Sequence, residues 1–190
     1  MPLSIDAAAE DAAAGHVRML IDKIGERLAF ERMGTRLYDT LLLKYEASGS
    51  FEGGPSFDEL LHHRDEEFSH FQTLSNALEQ LGGDPTAFTP SADVAAVASS
   101  GILAVIADAR TTLPQCLEAM LAAELVDENG WERLIELCRS VGHAELAELF
   151  EQCARTEAEH LRAVQGWLRF GMQALTGGLE EEESAYLLRS

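Results

Sequence analysis

Residues 56–83 read SFDELLHHRDEEFSHFQTLSNALEQLGG. Ser56 followed three residues later by Glu59 is the signature of a capping box, and Gly82-Gly83 is a helix stop, so the stretch predicts one helix. Leu60, Phe71, Leu74 and Leu78 recur at helical spacing and mark its buried face. Glu67 and His70 point the same way. A carboxylate and an imidazole aimed into an apolar core cost free energy unless they are paired, hydrogen-bonded or bound to a metal.

The same anomaly recurs on three other predicted helices. One runs over residues 10–46, with the apolar stripe Val17, Ile21, Ile24, Leu28, Tyr38, Leu42 and Tyr45, and Glu31 interrupts it. Another opens at Thr112 with Gln115 in the capping-box position, tolerates Pro114 in its first turn, and ends near Gly142. Its stripe of Leu117, Met120, Leu121, Trp131, Ile135 and Cys138 is interrupted by Glu124. The last covers residues 143–175 and is closed by Gly177-Gly178. There Glu157 and His160 break the stripe Leu146, Phe150, Cys153, Val164 and Trp167.

Loop lengths give the topology. The first two helices are joined by about ten residues and the last two by two or three, so each pair is an antiparallel hairpin. About thirty residues separate the hairpins, enough to travel the length of a bundle, partly as a short helix over residues 93–107. The expected fold is an all-α four-helix bundle over residues 1–178, two antiparallel hairpins joined by a long crossover, with an acidic tail over 179–190.

The chain of 190 residues suits one well-buried domain. A formal charge of −19 argues against nucleic acid and is compatible with drawing cations in. Cys116, Cys138 and Cys153 are an odd count without CxxC spacing, which argues against a disulfide framework or a cysteine-only metal site and fits a reducing cytoplasm. The N-terminus lacks the basic region of a secretion signal, and no apolar run approaches the roughly 20 residues of a membrane span, so no membrane partner is expected.

The interruptions form a repeat. Glu31 is followed seven residues on by Tyr38, and Glu124 seven on by Trp131. Each of these helices is followed by one carrying ExxH: Glu67 and His70, then Glu157 and His160. Four carboxylates buried together cost several kcal/mol each or take up protons. Two divalent cations balance their charge, and two neutral imidazoles complete a ligand set known from di-iron and di-manganese carboxylate bundles. His16, His62 and His143 belong to no such pattern, whereas His63, one turn before Glu67, is placed to support a ligand.

With these six residues and Tyr38, the sequence resembles the ferritin-like superfamily, which includes rubrerythrins and bacterioferritins, over residues 15–175. The resemblance implies a dinuclear iron (or manganese) centre that reacts with peroxide or oxygen. Glu67 and Glu157 would bridge the ions, and Glu31, Glu124, His70 and His160 would hold one end each. It implies an electron donor and a homodimer or larger homo-oligomer; the alternatives are a ferritin-type iron-storage protein with ferroxidase activity and a metal-binding bundle without catalysis. The chain lacks the rubredoxin-like CxxC pairs of full rubrerythrins, and Trp131 stands where a symmetric member would have tyrosine. Rubrerythrins carry an extra glutamate one turn beyond the third-helix ligand, where this chain has Asp127 and Glu128. Periodicity favours Glu128 for the core, and the family spacing favours Asp127.

Overall fold

The computed structural model describes residues 5–187, with side chains for residues 13–172. Five helices follow one another: α1 (Ile5–Ser48), α2 (Phe57–Gln80), α3 (Pro90–Ala107), α4 (Leu113–Ser140) and α5 (Ala144–Leu187). No strand occurs among the described residues. α1, α2, α4 and α5 are the bundle, and α3 is the helical part of the crossover.

Local chemistry sets the helix ends. Ser56 and Glu59 close a reciprocal capping box on α2, and Thr112 and Gln115 do the same on α4. Thr89 caps α3, with Pro90 in its first turn. The turns after α2 and α4 place Gly82 at φ 78° and Gly142 at φ 84°, a region that L side chains rarely adopt. Gly177 and Gly178 do not close α5, which continues through them to Leu187. A helical glycine costs about 1 kcal/mol but is no stop without a left-handed turn. The acidic tail is therefore helical backbone as far as Leu187, and its residues 188–190 lie outside the described residues. α1 starts at Ile5, earlier than the stripe alone indicates.

The crossover is strapped to α1 at both ends. Asp22 accepts from the Ser91 amide at 3.1 Å and from its hydroxyl at 2.6 Å. Lys44 donates to the carbonyls of Asp108 at 2.7 Å and Thr111 at 3.0 Å. α3 also corrects the expectation about apolar runs. Its 18 residues have a mean hydropathy of 1.6, enough to cross a membrane by length and composition alone. Here it packs along α1 and α4, leaving Val94 and Val97 exposed.

The core falls into two apolar layers. One contains Leu37, Tyr38 and Leu41 of α1, Leu60 of α2, Leu117 and Met120 of α4, and Val164 and Trp167 of α5. The other contains Ile24 and Leu28, Leu74 and Leu78, Trp131 and Leu134, and Phe150 and Cys153 from the same four helices. On every helix the polar residues of the repeat lie between the two sets, so the layers enclose a polar layer.

Candidate metal centre

The polar layer brings together one carboxylate or one ExxH pair from each bundle helix. Glu31, Glu67, His70, Glu124, Glu157 and His160 are all buried. Their ligand atoms fall into overlapping groups within 4.8 Å: Glu67, Glu124, Glu157 and His160; Glu31, His70 and Glu157; and Glu31, Glu67, Asp127 and Glu157. Glu157 belongs to all three groups, and Glu67 and Glu31 to two each. Glu31 and Glu124 share no group, so they lie toward opposite ends, and Glu67 and Glu157 are the carboxylates grouped with both.

A glycine on α1 explains the close approach. Gly34 follows Glu31 by one turn, and a Cβ there would overlap Glu67 Oε2. A glycine in mid-helix costs about 1 kcal/mol relative to alanine, and the space it leaves admits the α2 carboxylate.

Each end carboxylate has one oxygen tied and one left over. Tyr38 donates its hydroxyl proton to Glu124 Oε1 at 2.6 Å, and Arg27 Nη2 donates to Glu31 Oε1 at 2.5 Å. The second oxygens of Glu31 and Glu124 are buried without a hydrogen-bond partner. So are Glu67 Oε2, Glu157 Oε1 and His70 Nδ1, the last two in close contact with each other. His160 is held on both sides: Nδ1 lies 3.1 Å from Glu157 and 3.4 Å from Glu67, and Nε2 lies 2.9 Å from Glu66. His63 stacks on His160 with ring centroids 4.3 Å apart, and its Nδ1 lies 3.2 Å from the Tyr38 hydroxyl. It therefore supports the cluster from behind.

Protons and ion pairs balance the charge of the metal-free layer. Burial, helped by the charge of Glu157, pushes Glu124 up to about 8 and Glu67 well above the carboxylate range. Burial would raise Glu157 too, but His160 and His70 bring it down to about 2. Burial opposes charge on the histidines, yet contacts with Glu157 and Glu31 push His70 up to about 10. Contacts with Glu157, Glu66 and Glu67 take His160 well above the imidazole range. Burial brings His63 down to about 4, which keeps it neutral.

The two helix-4 candidates separate. Asp127 is buried and reaches the cluster, where it pairs with Arg27. Glu128 is partly exposed and belongs to none of the three groups, contrary to the expectation that it faces the core. The buried set on α4 runs Cys116, Met120, Ala123, Asp127, Gly130 and Leu134, which turns the stripe toward Asp127 and leaves Leu121 and Glu128 at its edge. Arg27 and Glu66 were not singled out from the sequence. A charged residue one turn before a core glutamate, and a second glutamate beside Glu67, were the available signals. The three cysteines are free and buried.

The donor set fits divalent metal ions. Five of the seven buried side-chain polar atoms without a hydrogen-bond partner among the described residues are ligand atoms that converge from α1, α2, α4 and α5, whereas most buried polar atoms in folded proteins are satisfied. Carboxylate oxygens with two imidazoles suit iron and manganese alike.

Residues 47–170 match the Ferritin-like domain family. A crystal structure described as ferritin like, diiron-carboxylate proteins from Bacillus anthracis str. Ames superposes with a TM-score of 0.60 at 19% sequence identity, over 80% of this chain and 97% of that one. At that identity the likeness speaks for the fold. No curated protein matches the sequence.

Proposed function

The chain belongs to the ferritin-like domain family, and on that premise we propose that its polar layer holds a dinuclear iron centre that reduces peroxide or oxygen. The observation that carries this reading is the convergence of buried carboxylate and imidazole ligand atoms from four helices, five of them without a hydrogen-bond partner. The crystal structure whose fold it shares is described as diiron-carboxylate, which supports the choice of metal. Manganese suits the same donors, and elemental analysis separates the two.

Glu67 and Glu157 would be shared by the two ions, Glu31 with His70 would hold one, and Glu124 with His160 the other. When bound, the metal pair would polarise an O–O bond and supply it with electrons, drawn from ferrous iron or an external reductant. The protein's part is to arrange charge and protons. His160 gives its Nε2–H to Glu66, which leaves Nδ1 free as a ligand and fixes the ring. Tyr38 ties Glu124 Oε1, so Oε2 faces the cluster. Metal ligands must be unprotonated, so loading expels protons from Glu67, Glu124, His70 and His160. The apolar layers on either side keep bulk water from the site.

The test is anaerobic loading with ferrous iron, elemental analysis, then stopped-flow mixing with peroxide or oxygen. About two irons per chain and rapid ferrous oxidation are expected. Stoichiometry near zero would refute the reading.

A further inference from the structure

The ligands repeat between the two hairpins, but the groups that attend them do not. Tyr38, seven after Glu31, donates to Glu124. Its counterpart, seven after Glu124, is Trp131, whose buried Nε1 has no hydrogen-bond partner and so gives nothing to Glu31. Arg27 takes that place, with Nη2 on both Glu31 Oε1 and Asp127. The counterpart of Arg27, four before Glu124, is Met120, and that of Asp127, three after Glu31, is Gly34. The ion pair thus exists at one end of the repeat and an uncharged pair at the other.

A second observation points the same way. Glu66, one before Glu67, accepts from His160, whereas its counterpart beside Glu157 is the uncharged Thr156. A carboxylate therefore backs the Glu124–His160 end, and a guanidinium shared between Glu31 and Asp127 backs the Glu31–His70 end. Arg27 is 4% exposed, and a Cβ at Gly130 would overlap its Nη1, so α4 is shaped to admit it. On its outer side lies a cavity of about 230 Å³ lined by Lys23, Glu26, Gly130 and Arg133, which brings two more cations against one carboxylate.

We propose that Arg27 is a positioning residue that makes the two metal positions unequal. It ties Glu31 Oε1 and Asp127, so the Glu31–His70 position binds its ion more weakly and fills second. The inference rests on the dinuclear reading above. A guanidinium cannot shed its proton, so its repulsion of an incoming cation persists at every working pH. Two like charges a few ångströms apart in a poorly solvated interior repel far more than in water.

The experiment is a calorimetric titration of the metal-free full chain with manganese(II). Two steps whose affinities differ by about tenfold or more are expected. Arg27→Met, which installs the residue of the other half, frees Glu31 and Asp127 and should tighten the second step by a similar factor. Because that variant leaves Asp127 buried without its partner, Arg27→Met/Asp127→Asn is titrated beside it; there too the second step should tighten, through Glu31 alone. If Arg27 only braces the fold, the variants shift the melting temperature of the metal-free protein and leave both steps where they were, which overturns the proposal. Two equal steps in the parent chain overturn it as well. A parent chain that binds no manganese(II) or ferrous iron refutes the dinuclear reading itself, a result distinct from either.

Discussion

Glu66 accepts a hydrogen bond from His160 Nε2 at 2.9 Å, while the other nitrogen of the same ring faces Glu157. Glu66 is partly exposed and His160 fully buried, so the pair connects the polar layer to the surface. A carboxylate behind a ligating imidazole fixes its tautomer and raises its basicity, and losing one costs about 10- to 100-fold in metal affinity. Glu66→Ala should weaken metal binding by at least the lower of these factors, read by competition with a chelator, with helix content unchanged. Unaltered affinity would remove Glu66 from the centre.

His70→Ala and Glu157→Ala should each abolish rapid ferrous oxidation while leaving a folded helical protein. Glu157 is the carboxylate common to all three groups, so its loss strikes both metal positions. Circular dichroism checks the fold and stopped-flow absorbance the oxidation. Full activity in either variant would show that the residue is not a ligand.

The metal-free and metal-loaded proteins should respond to pH with opposite signs. His70 is raised to about 10 and Glu124 to about 8, so the folded chain holds protons the unfolded chain releases. Stability from such groups is complete below their unfolded values and is lost as pH rises through the folded ones. Glu124 gives up its share from about pH 4.5 to 8 and His70 from about 6.5 to 10, so the melting temperature of metal-free protein should fall where both act, from about pH 6.5 upward. Below that window two depressed groups set the acid limit. Glu157, at about 2, and His63, at about 4, both lose their stabilising contribution as pH falls. Metal affinity should rise with pH, since each ligand sheds its proton to bind. Melts with and without metal, from pH 5 to 10, test both slopes. A metal-free melting point that climbs from 6.5 to 9 would contradict the proton assignment.

The topology was legible because its signals are local. Capping boxes at Ser56 and Thr112 and loop lengths either side of a long crossover fix four helices and their directions. The polar layer was legible because Glu31, Glu67, His70, Glu124, Glu157 and His160 break apolar stripes in a repeated order. What stayed hidden depends on side-chain reach between helices. Arg27 lies on the same α1 face as Glu31, but only the α1–α4 approach brings it to Asp127, 100 residues away. The choice between Asp127 and Glu128 turned on the rotation of α4, which spacings of three and four leave open.

Gly34 offers the sharpest separation of site from fold. It lies in the middle of α1, three residues past Glu31, and its backbone is ordinary helix. Alanine there should favour the helix by about 1 kcal/mol. Its methyl group would also overlap Glu67 Oε2 and Cδ, the far end of that side chain. Burial holds the Glu67 pKa well above the carboxylate range, and its rotatable side-chain bonds let the displaced end turn aside in metal-free protein. Gly34→Ala should therefore leave the metal-free melting temperature equal to that of the parent or slightly higher. It should weaken metal binding by about tenfold or more, because Glu67 is drawn away from the position both ions share. Gly34→Ser should behave alike in binding without the gain in helix stability. Calorimetric titration and a melt on the same samples give the two quantities. A variant that binds metal as the parent does would mean that Glu67 need not sit where Gly34 admits it, and its bridging role would fall.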